Sequence, residues 1–529
     1  MTTLPPEAPS TTETPSADKD RRRLLIVSDM HLGRDCNYIT GFKHRTRPNP
    51  EFDQAFIDML DYYTVGQEQS WRIIFGGDFI DFIEVVVVPG SDSRLHLSFD
   101  VTDEEKEFGL GTEAERVCVK LEETLDYHEA FFRRVARFVA AGGEIVVLRG
   151  NHDVELHWKK VQRVFRQRLS SLAYEGLDLG IDEVIDIRNE FQTRISFAPW
   201  IYYEATRIYV EHGHQYDAYC SFDSQLYPLS PTNQRRIDTP LAAFAMRYFV
   251  NLLTDFKAHN ADVWGTRDYI AWLRARGFAG AFYVARMGLS TGVRTLSYAV
   301  QMALGFRVRR YREEHEKLLV EEAARLDIPP DKLLTVDMLR HMPVNRNLPE
   351  LIRLLFLDRI LLVAGALLLT FLILLVFDST WPQLIGVVLT AILALRINSK
   401  MAPRRFLLPG PKQAQAAARI SEILNVPSIV MGHSHVRRVS ELGDGKRYIN
   451  SGCWLPPLPG QDHVDAAAPC SCRFAHVVVE SDGQADLRIF CRATRSVRVS
   501  DVKTTDVWMG ERDDEQGVRT APAPALTSQ

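Results

Sequence analysis

Five short apolar runs, at 24–28, 71–75, 144–148, 206–210 and 427–431, share one kind of ending. Each stops at a Gly or polar step that carries Asp, Asn or His. The endings are Asp29-Met30-His31, Gly77-Asp78-Phe79-Ile80-Asp81, Gly150-Asn151-His152-Asp153, His212-Gly213-His214 and Gly432-His433-Ser434-His435. Run length and β-branched content predict buried strands. Between them the apolar positions take the helical period at 51–63, over roughly 113–140, at 158–169 and at 412–424. The segment at 185–197 reads as β-rich, and 448–452, 474–479 and 486–490 read as closing strands. Alternation of strand and helix is the α/β pattern, and open α/β sheets gather ligands at the carboxyl ends of their strands.

The pattern changes between His214 and His433. Residues 231–350 are helical in period, with no strand rhythm, and 234–312 hold 13 Lys/Arg against 4 Asp/Glu with aromatics interleaved. Residues 360–377 form an uncharged apolar run of 18 residues, followed by a polar break at 378–383 and a shorter run at 384–395. A membrane-crossing helix needs about 20 apolar residues, so the first run nearly qualifies and the second is marginal. Arg353 and Arg359 precede the pair, and Arg396, Lys400, Arg404 and Arg405 follow it. Cations on both outer flanks predict a membrane hairpin whose two ends lie in the cytoplasm.

Composition adds limits. The chain of 529 residues is 46% hydrophobic and 25% charged, ordinary for globular domains. A net charge of -5 carries no basic field, so nucleic acid is not an expected partner. Seven scattered cysteines suit a reducing compartment, and the lone Cys470/Cys472 pair reads as two ordinary thiols. Residues 1–20 are polar and Pro/Thr-rich without an apolar core segment, so the expectation is a catalytic part in the cytoplasm, attached to the inner or plasma membrane.

The polar endings carry the chemistry. Asp29 and His31, like His433 and His435, are two apart, so both members of each pair can face one metal. Two divalent metals about 4 Å apart need three or four protein ligands each, with one shared. Asp29, His31, Asp78, Asn151, His212, His433 and His435 supply that set, and Asp78 is the expected bridge because its two oxygens can bind one ion each. Imidazoles mixed with hard oxygens favour Mn, Fe or Zn over Ca or Mg. A water held between two such ions would lose a proton near neutral pH and attack phosphorus. His152 would hydrogen-bond the phosphoryl group or protonate the departing oxygen. Asp81, Asp153 and His214 are expected to support these residues or cap their turns. Arg34 and Arg149 stand next to motif residues and are candidates for a substrate phosphate, with a surface salt bridge the competing role.

The blocks DxH, GDxxD, GNHD, a lone His and GHxH, in this order, resemble the calcineurin-like metallophosphoesterase superfamily. The resemblance covers about 22–230 and 425–500. It implies an αββα fold of two mixed sheets flanked by helices, from which the inserted all-α region with its hydrophobic hairpin, between blocks four and five, is a departure. It also implies two metals, one on Asp29, His31, Asp78 and His435, the other on Asp78, Asn151, His212 and His433, with His152 on the phosphate side; of the metals the donors favour, Mn is the first expectation. The runs Ser28-Asp29-Met30-His31-Leu32-Gly33 and Gly77-Asp78-Phe79-Ile80-Asp81 look most like the UDP-2,3-diacylglucosamine pyrophosphatase branch.

The expected organisation is a tail at 1–21, a first phosphoesterase part at 22–230, helices at 231–350, a hairpin at 351–400, a linker and helix at 401–424, a second part at 425–504 and a tail at 505–529. The expected activity is hydrolysis of a phosphodiester or pyrophosphate in a membrane-associated or lipid-linked substrate. A membrane-tethered nucleotide phosphodiesterase or nuclease, and an inactive membrane scaffold, are the competing readings.

Overall fold

The computed structural model describes residues 21–34, 36–37, 50–83, 86–88, 97–176, 181–253, 266–304, 307–354, 357–401, 409–454 and 474–500. His96, Cys470 and Cys472 lie outside them. The strands are β1 (Arg23–Val27), β2 (Trp71–Phe75), β3 (Glu144–Leu148), β4 (Ile195–Ala198), β5 (Ile201–Glu204), β6 (Ile208–Glu211), β7 (Ser428–Met431), β8 (Arg438–Gly443), β9 (Lys446–Asn450), β10 (Ala475–Val479), β11 (Ala485–Cys491) and β12 (Ser496–Val499). A further short pair, Cys36–Asn37 with Val87–Val88, stands apart.

Two mixed sheets result. The first runs β12-β11-β10-β1-β2-β3-β4, with β1 to β4 parallel and the other neighbours antiparallel. The second runs β8-β9-β7-β6-β5, where β9, β7 and β6 are parallel. Strand alternation explains the layering, because successive side chains point to opposite faces. Leu24 and Ile26 of β1 join Ile74, Val146, Val210, Val430 and Ile449 in a core between the sheets. Leu25 and Val27 face the other way, into a core with helices α1 (Pro50–Thr64), α3 (Ala114–Tyr127), α4 (Glu129–Ala140) and α5 (Lys159–Ala173). Helix α2 (Asp103–Phe108) lies between α1 and α3 in the chain and is capped by Thr102. The layers are therefore helix, sheet, sheet, helix.

One element departs from the sequence expectation. Residues Ile181–Thr193 form helix α6, and only Ile195–Ala198 is strand. Ile185 and Ile187 favoured a strand locally. Packing decides otherwise, because the helix buries Phe191 against the first core, with its ring 5.7 Å from Tyr174. The helical stretch over 113–140 also breaks at His128, which is buried with Nδ1 2.8 Å from Asp53 Oδ2. Cys491 is disulfide-bonded, against the thiol-only reading, whereas Cys118, Cys220 and Cys453 form no disulfide.

The inserted region is helical, as the pattern requires: α7 (Leu241–Tyr248), α8 (Thr266–Ala275), α9 (Gly277–Leu304), α10 (Arg307–Arg325), α11 (Pro330–Asp337) and α12 (Leu348–Leu354). Leu319, Ala323, Leu333 and Val336 of α10 and α11 cover the outer face of the second sheet, beside Ala417, Ile420 and Leu424 of α15 (Pro409–Leu424). Between them stand α13 (Leu357–Val376) and α14 (Thr380–Met401), which pack as a hairpin. Arg359 donates to Asn398 O at 2.8 Å at its base, and Gly386 lies against Ile373 further along. The apolar side chains of both helices are largely exposed. By length and composition Thr380–Lys400 is long and apolar enough to cross a membrane, while Leu361–Val376 is shorter. The expectation had ranked the two runs the other way. Helix α14 gains length from flanking polar residues that a helix tolerates and an apolar count omits.

Candidate active site

Strands β1, β2 and β3 are neighbours in one sheet and β6 and β7 in the other, so five carboxyl ends converge on one edge. The loops there are tied to one another by backbone. Asp29 N donates to Gly77 O (3.1 Å), His31 N to Asp78 O (2.9 Å), Phe82 N to His152 O (3.0 Å) and Gly432 N to His212 O (3.0 Å). Asp29, His31, Asp78, His433 and His435 all have φ between 49° and 68°. Non-glycine residues avoid this left-handed region, where each costs on the order of 1 kcal/mol. Side-chain acceptors help to hold it: His433 N donates to Asp29 Oδ1 at 3.0 Å, and His152 N to Asp78 Oδ1 at 2.8 Å. At Gly150 and Gly432 a Cβ would overlap the carboxylates of Asp78 and Asp29 respectively, so only glycine lets the backbone approach.

The histidines are oriented by their outward nitrogens. His31 places Nδ1 3.0 Å from Asp81 Oδ2, which leaves Nε2 directed inward, 3.3 Å from His435 Nε2 and 3.8 Å from Asp78 Oδ2. His212 Nδ1 donates to Gly76 O at 3.2 Å, and its Nε2 lies 3.0 Å from Asp78 Oδ2 and 3.2 Å from Asn151 Oδ1. His435 Nε2 is 3.3 Å from Asp29 Oδ1. His433 turns Nε2 to Asp217 Oδ2 at 3.1 Å. Among the described residues four groups have their ligand atoms within 4.8 Å of one another: Asp29/His31/His435, Asp78/His212/His433, His31/Asp78/His152 and Asp217/Cys220/His433. Acceptors converging this closely, with the opposite ring nitrogens of His31, His212 and His433 bonded to oxygen, fit divalent transition metals.

Burial alone would raise Asp78, but His212 and His152 hold its carboxyl well below the usual range. Burial alone would lower His212, yet Asp78 and Asp29 lift it to about 9. Burial lowers His31, against the bond to Asp81.

The remaining sequence candidates fall into place around this centre. Asp81 is buried and lies against two rings, His31 and His152, the latter at 3.2 Å from its Nδ1. Asp153 accepts from Gly150 N (2.6 Å) and Phe79 N (2.8 Å), joining two of the blocks, and burial with Asp78 nearby lifts it to about 7. His214 is buried, its ring 5.4 Å from that of His212. Arg149 is buried and gives its donors to Pro199 O (2.9 Å) and Gln225 O (3.1 Å), where it braces backbone. Arg34 lies 3.7 Å from Glu123 and over the Tyr127 ring. Sequence reasoning missed Asp217, whose only signal was its place in the run His212-Gly213-His214-Gln215-Tyr216-Asp217. It also missed Ser28 and Ser451, 2.7 Å apart behind Asp29.

Residues 22–283 match the family model of the calcineurin-like phosphoesterases. They form a calcineurin-like phosphoesterase domain. No match was found among curated proteins or among solved structures. Enzymes of the family are hydrolases acting on phosphoester bonds, and this chain is one. The matched span ends before β7. The structure completes the phosphoesterase domain by bringing β7 and β9 into the second sheet, which adds His433 and His435 to the same edge.

Proposed function

We propose that this phosphoesterase hydrolyses a phosphodiester or pyrophosphate bond in an amphiphilic substrate held at a membrane, using two divalent metals of which manganese is the first choice. The observation that carries the reading is where the hairpin is rooted. Before it, Val344 N donates to Ala218 O (3.0 Å), and Leu351 packs on Ala218. After it, Gln413 Nε2 donates to Gly213 O (3.3 Å) and Gly432 O (3.2 Å). Both roots therefore grip the loops that carry His212, His214 and His433. A hairpin in the bilayer would hold this edge near the lipid surface.

One ion would be held by Asp29, His31, Asp78 and His435, the other by Asp78, Asn151, His212 and His433. When bound, such a pair supplies Lewis acidity to the phosphoryl oxygens and a nucleophile at neutral pH. Asp81 keeps the His152 ring in place on the partly exposed side of the site. From there His152 would donate a proton to the departing oxygen. The blocks at Ser28–Gly33 and Gly77–Asp81 favour a lipid-linked nucleotide sugar as the first substrate to try. The charge of -5 speaks against the nuclease reading.

Purified protein with added Mn should hydrolyse an aryl phosphodiester, and Asp78→Ala should remove that activity. Full activity in the variant would overturn the metal reading. A screen against UDP-diacylglucosamine, phospholipids, cyclic nucleotides and single-stranded DNA should show a preference for the amphiphiles. A clear preference for the water-soluble compounds would overturn the substrate reading and leave the hydrolase intact.

A further inference from the structure

We infer that the outer face of α9 is a second lipid-contact surface, lying flat on an anionic bilayer beside the hairpin. It deepens the membrane reading above, on which it rests only for its orientation. Helix α9 is 28 residues long, about 42 Å at 1.5 Å per residue. Its inner face is spent on the enzyme. Val284 packs with Leu253, Thr291 Oγ1 donates to Tyr248 O at 3.0 Å, and Ala299 is buried with Leu241, Val344 and Leu351. The outer face carries Phe278, Phe282, Leu289, Val293 and Val300, exposed by 90%, 64%, 69%, 60% and 43%. At about 100° per residue these five fall within an arc of roughly 60°, a single stripe along the whole helix. A stripe of this kind on a folded protein marks a contact that the isolated chain leaves unmade.

Charge and continuity identify what covers it. Across α8 and α9 there are five arginines (Arg267, Arg274, Arg276, Arg286 and Arg294) against one acid, Asp268. Arg294 stacks over Phe108, and Arg276 over Trp272. Arg286 is exposed at the border of the stripe. An apolar stripe edged by arginine and aromatic rings suits the headgroup region of an anionic bilayer. A second copy is disfavoured by the same residues, because a two-fold contact would bring two arginine-rich faces together. The position agrees as well. Ala299 rests on Val344 and Leu351, and the chain from Leu351 runs directly into the hairpin. The stripe thus has one end beside the hairpin root.

The test uses the full chain in vesicles, with an environment-sensitive fluorophore on Ala285→Cys, which is exposed at the edge of the stripe. Signal from the native cysteines is subtracted with the labelled parent chain, and exposed Ser171→Cys on α5 is the control. In phosphatidylcholine vesicles containing phosphatidylglycerol, emission at 285 should move to shorter wavelength and be quenched by lipids brominated near the headgroup. Both effects should be several-fold weaker in phosphatidylcholine alone. Leu289→Glu with Val293→Glu should abolish them while hydrolysis of a soluble aryl phosphodiester is unchanged. Emission at 285 that matches the control in both lipids would overturn the inference. So would a shift that follows protein concentration instead of lipid charge, which would assign the face to a second copy, or one that survives the double substitution. Release of the protein by alkaline carbonate, with the lipid-dependent shift present at neutral pH, would sink the hairpin and support this surface.

Discussion

Asp217 Oδ2 lies 3.1 Å from Nε2 of His433, although 216 positions separate the two residues in sequence. Asp217 sits just past the β6 loop and His433 just past β7, on adjacent strands. The bond fixes which nitrogen of His433 carries the proton, so Nδ1 is the atom left for a metal. The Asp217 carboxyl is held below its usual value, against the effect of burial, by this bond. It also joins the site to the root of the hairpin, since the next residue, Ala218, receives the backbone bond from Val344 ahead of the hairpin.

Asp217→Ala should therefore weaken binding of the second ion, by about 10- to 100-fold if it behaves like other carboxylates behind a metal-bound imidazole. Asp217→Asn should recover part of the loss, because an amide oxygen still accepts from Nε2. Metal content after dialysis against graded chelator measures this without reference to turnover. Unaltered metal affinity in Asp217→Ala would mean that the contact only packs the loop.

His152 stands beside the expected ligands, with a ring nitrogen within 4.8 Å of ligand atoms of His31 and Asp78. Its backbone N–H bonds Asp78, its Nδ1 faces Asp81, and its ring lies edge-on to His31 with centroids 4.6 Å apart. His152→Ala should lower turnover by about 100- to 10,000-fold, the usual range for a lost proton donor, with both metals retained. Stoichiometric loss of metal from the purified variant would make His152 a ligand instead.

Acid stability should depend on a histidine far from the site. His476 on β10 is fully buried, accepts from the Tyr63 hydroxyl at 2.8 Å through Nε2 and donates to Phe474 O through Nδ1 at 3.0 Å. Burial, helped by Arg488, lowers it from 6.5 to about 4. The unfolded chain thus binds this proton near pH 6.5, while the folded chain resists it until about 4. The stability contributed is present above pH 6.5 and is lost as pH falls toward 4, on the order of 3 kcal/mol for a shift of this size. His476→Gln should remove that part of the pH dependence. Urea unfolding of both proteins at pH 7 and pH 4.5 measures it, and equal slopes with pH would show that His476 is not responsible.

Much of this was legible because it is local. A strand and the polar step that ends it lie within eleven residues, so each of the five blocks could be read alone, and their order did the rest. Asp217 was not legible, because its partner is supplied by a strand that joins the sheet only after the inserted helices. The helix at Ile181–Thr193 was misread for the opposite reason: the β-branched residues there are real, but burial of Phe191 outweighs them. The stripe on α9 was visible only as an excess of aromatics and arginines until the fold showed which face of the helix was already used.

The hairpin prediction is topological. His433 and His435 share one edge with Asp29, His31 and His212, so the chain on either side of the hairpin must end in the same compartment. Any crossing between them has to occur an even number of times, and α13 and α14, joined across Phe377 to Ser379, provide two. Arg359 is bonded to Asn398 O at the base, and with Arg396 and Lys400 it would set the cationic end on the cytoplasmic side of a membrane-inserted hairpin. The turn should then lie at or toward the far face. In intact cells Ser379→Cys should react with a membrane-impermeant maleimide, while Ser171→Cys should react only after lysis. Protection of both until lysis would leave a re-entrant hairpin that does not reach the far side. Release of the intact protein by alkaline carbonate would rule out both forms and return 357–401 to a surface contact.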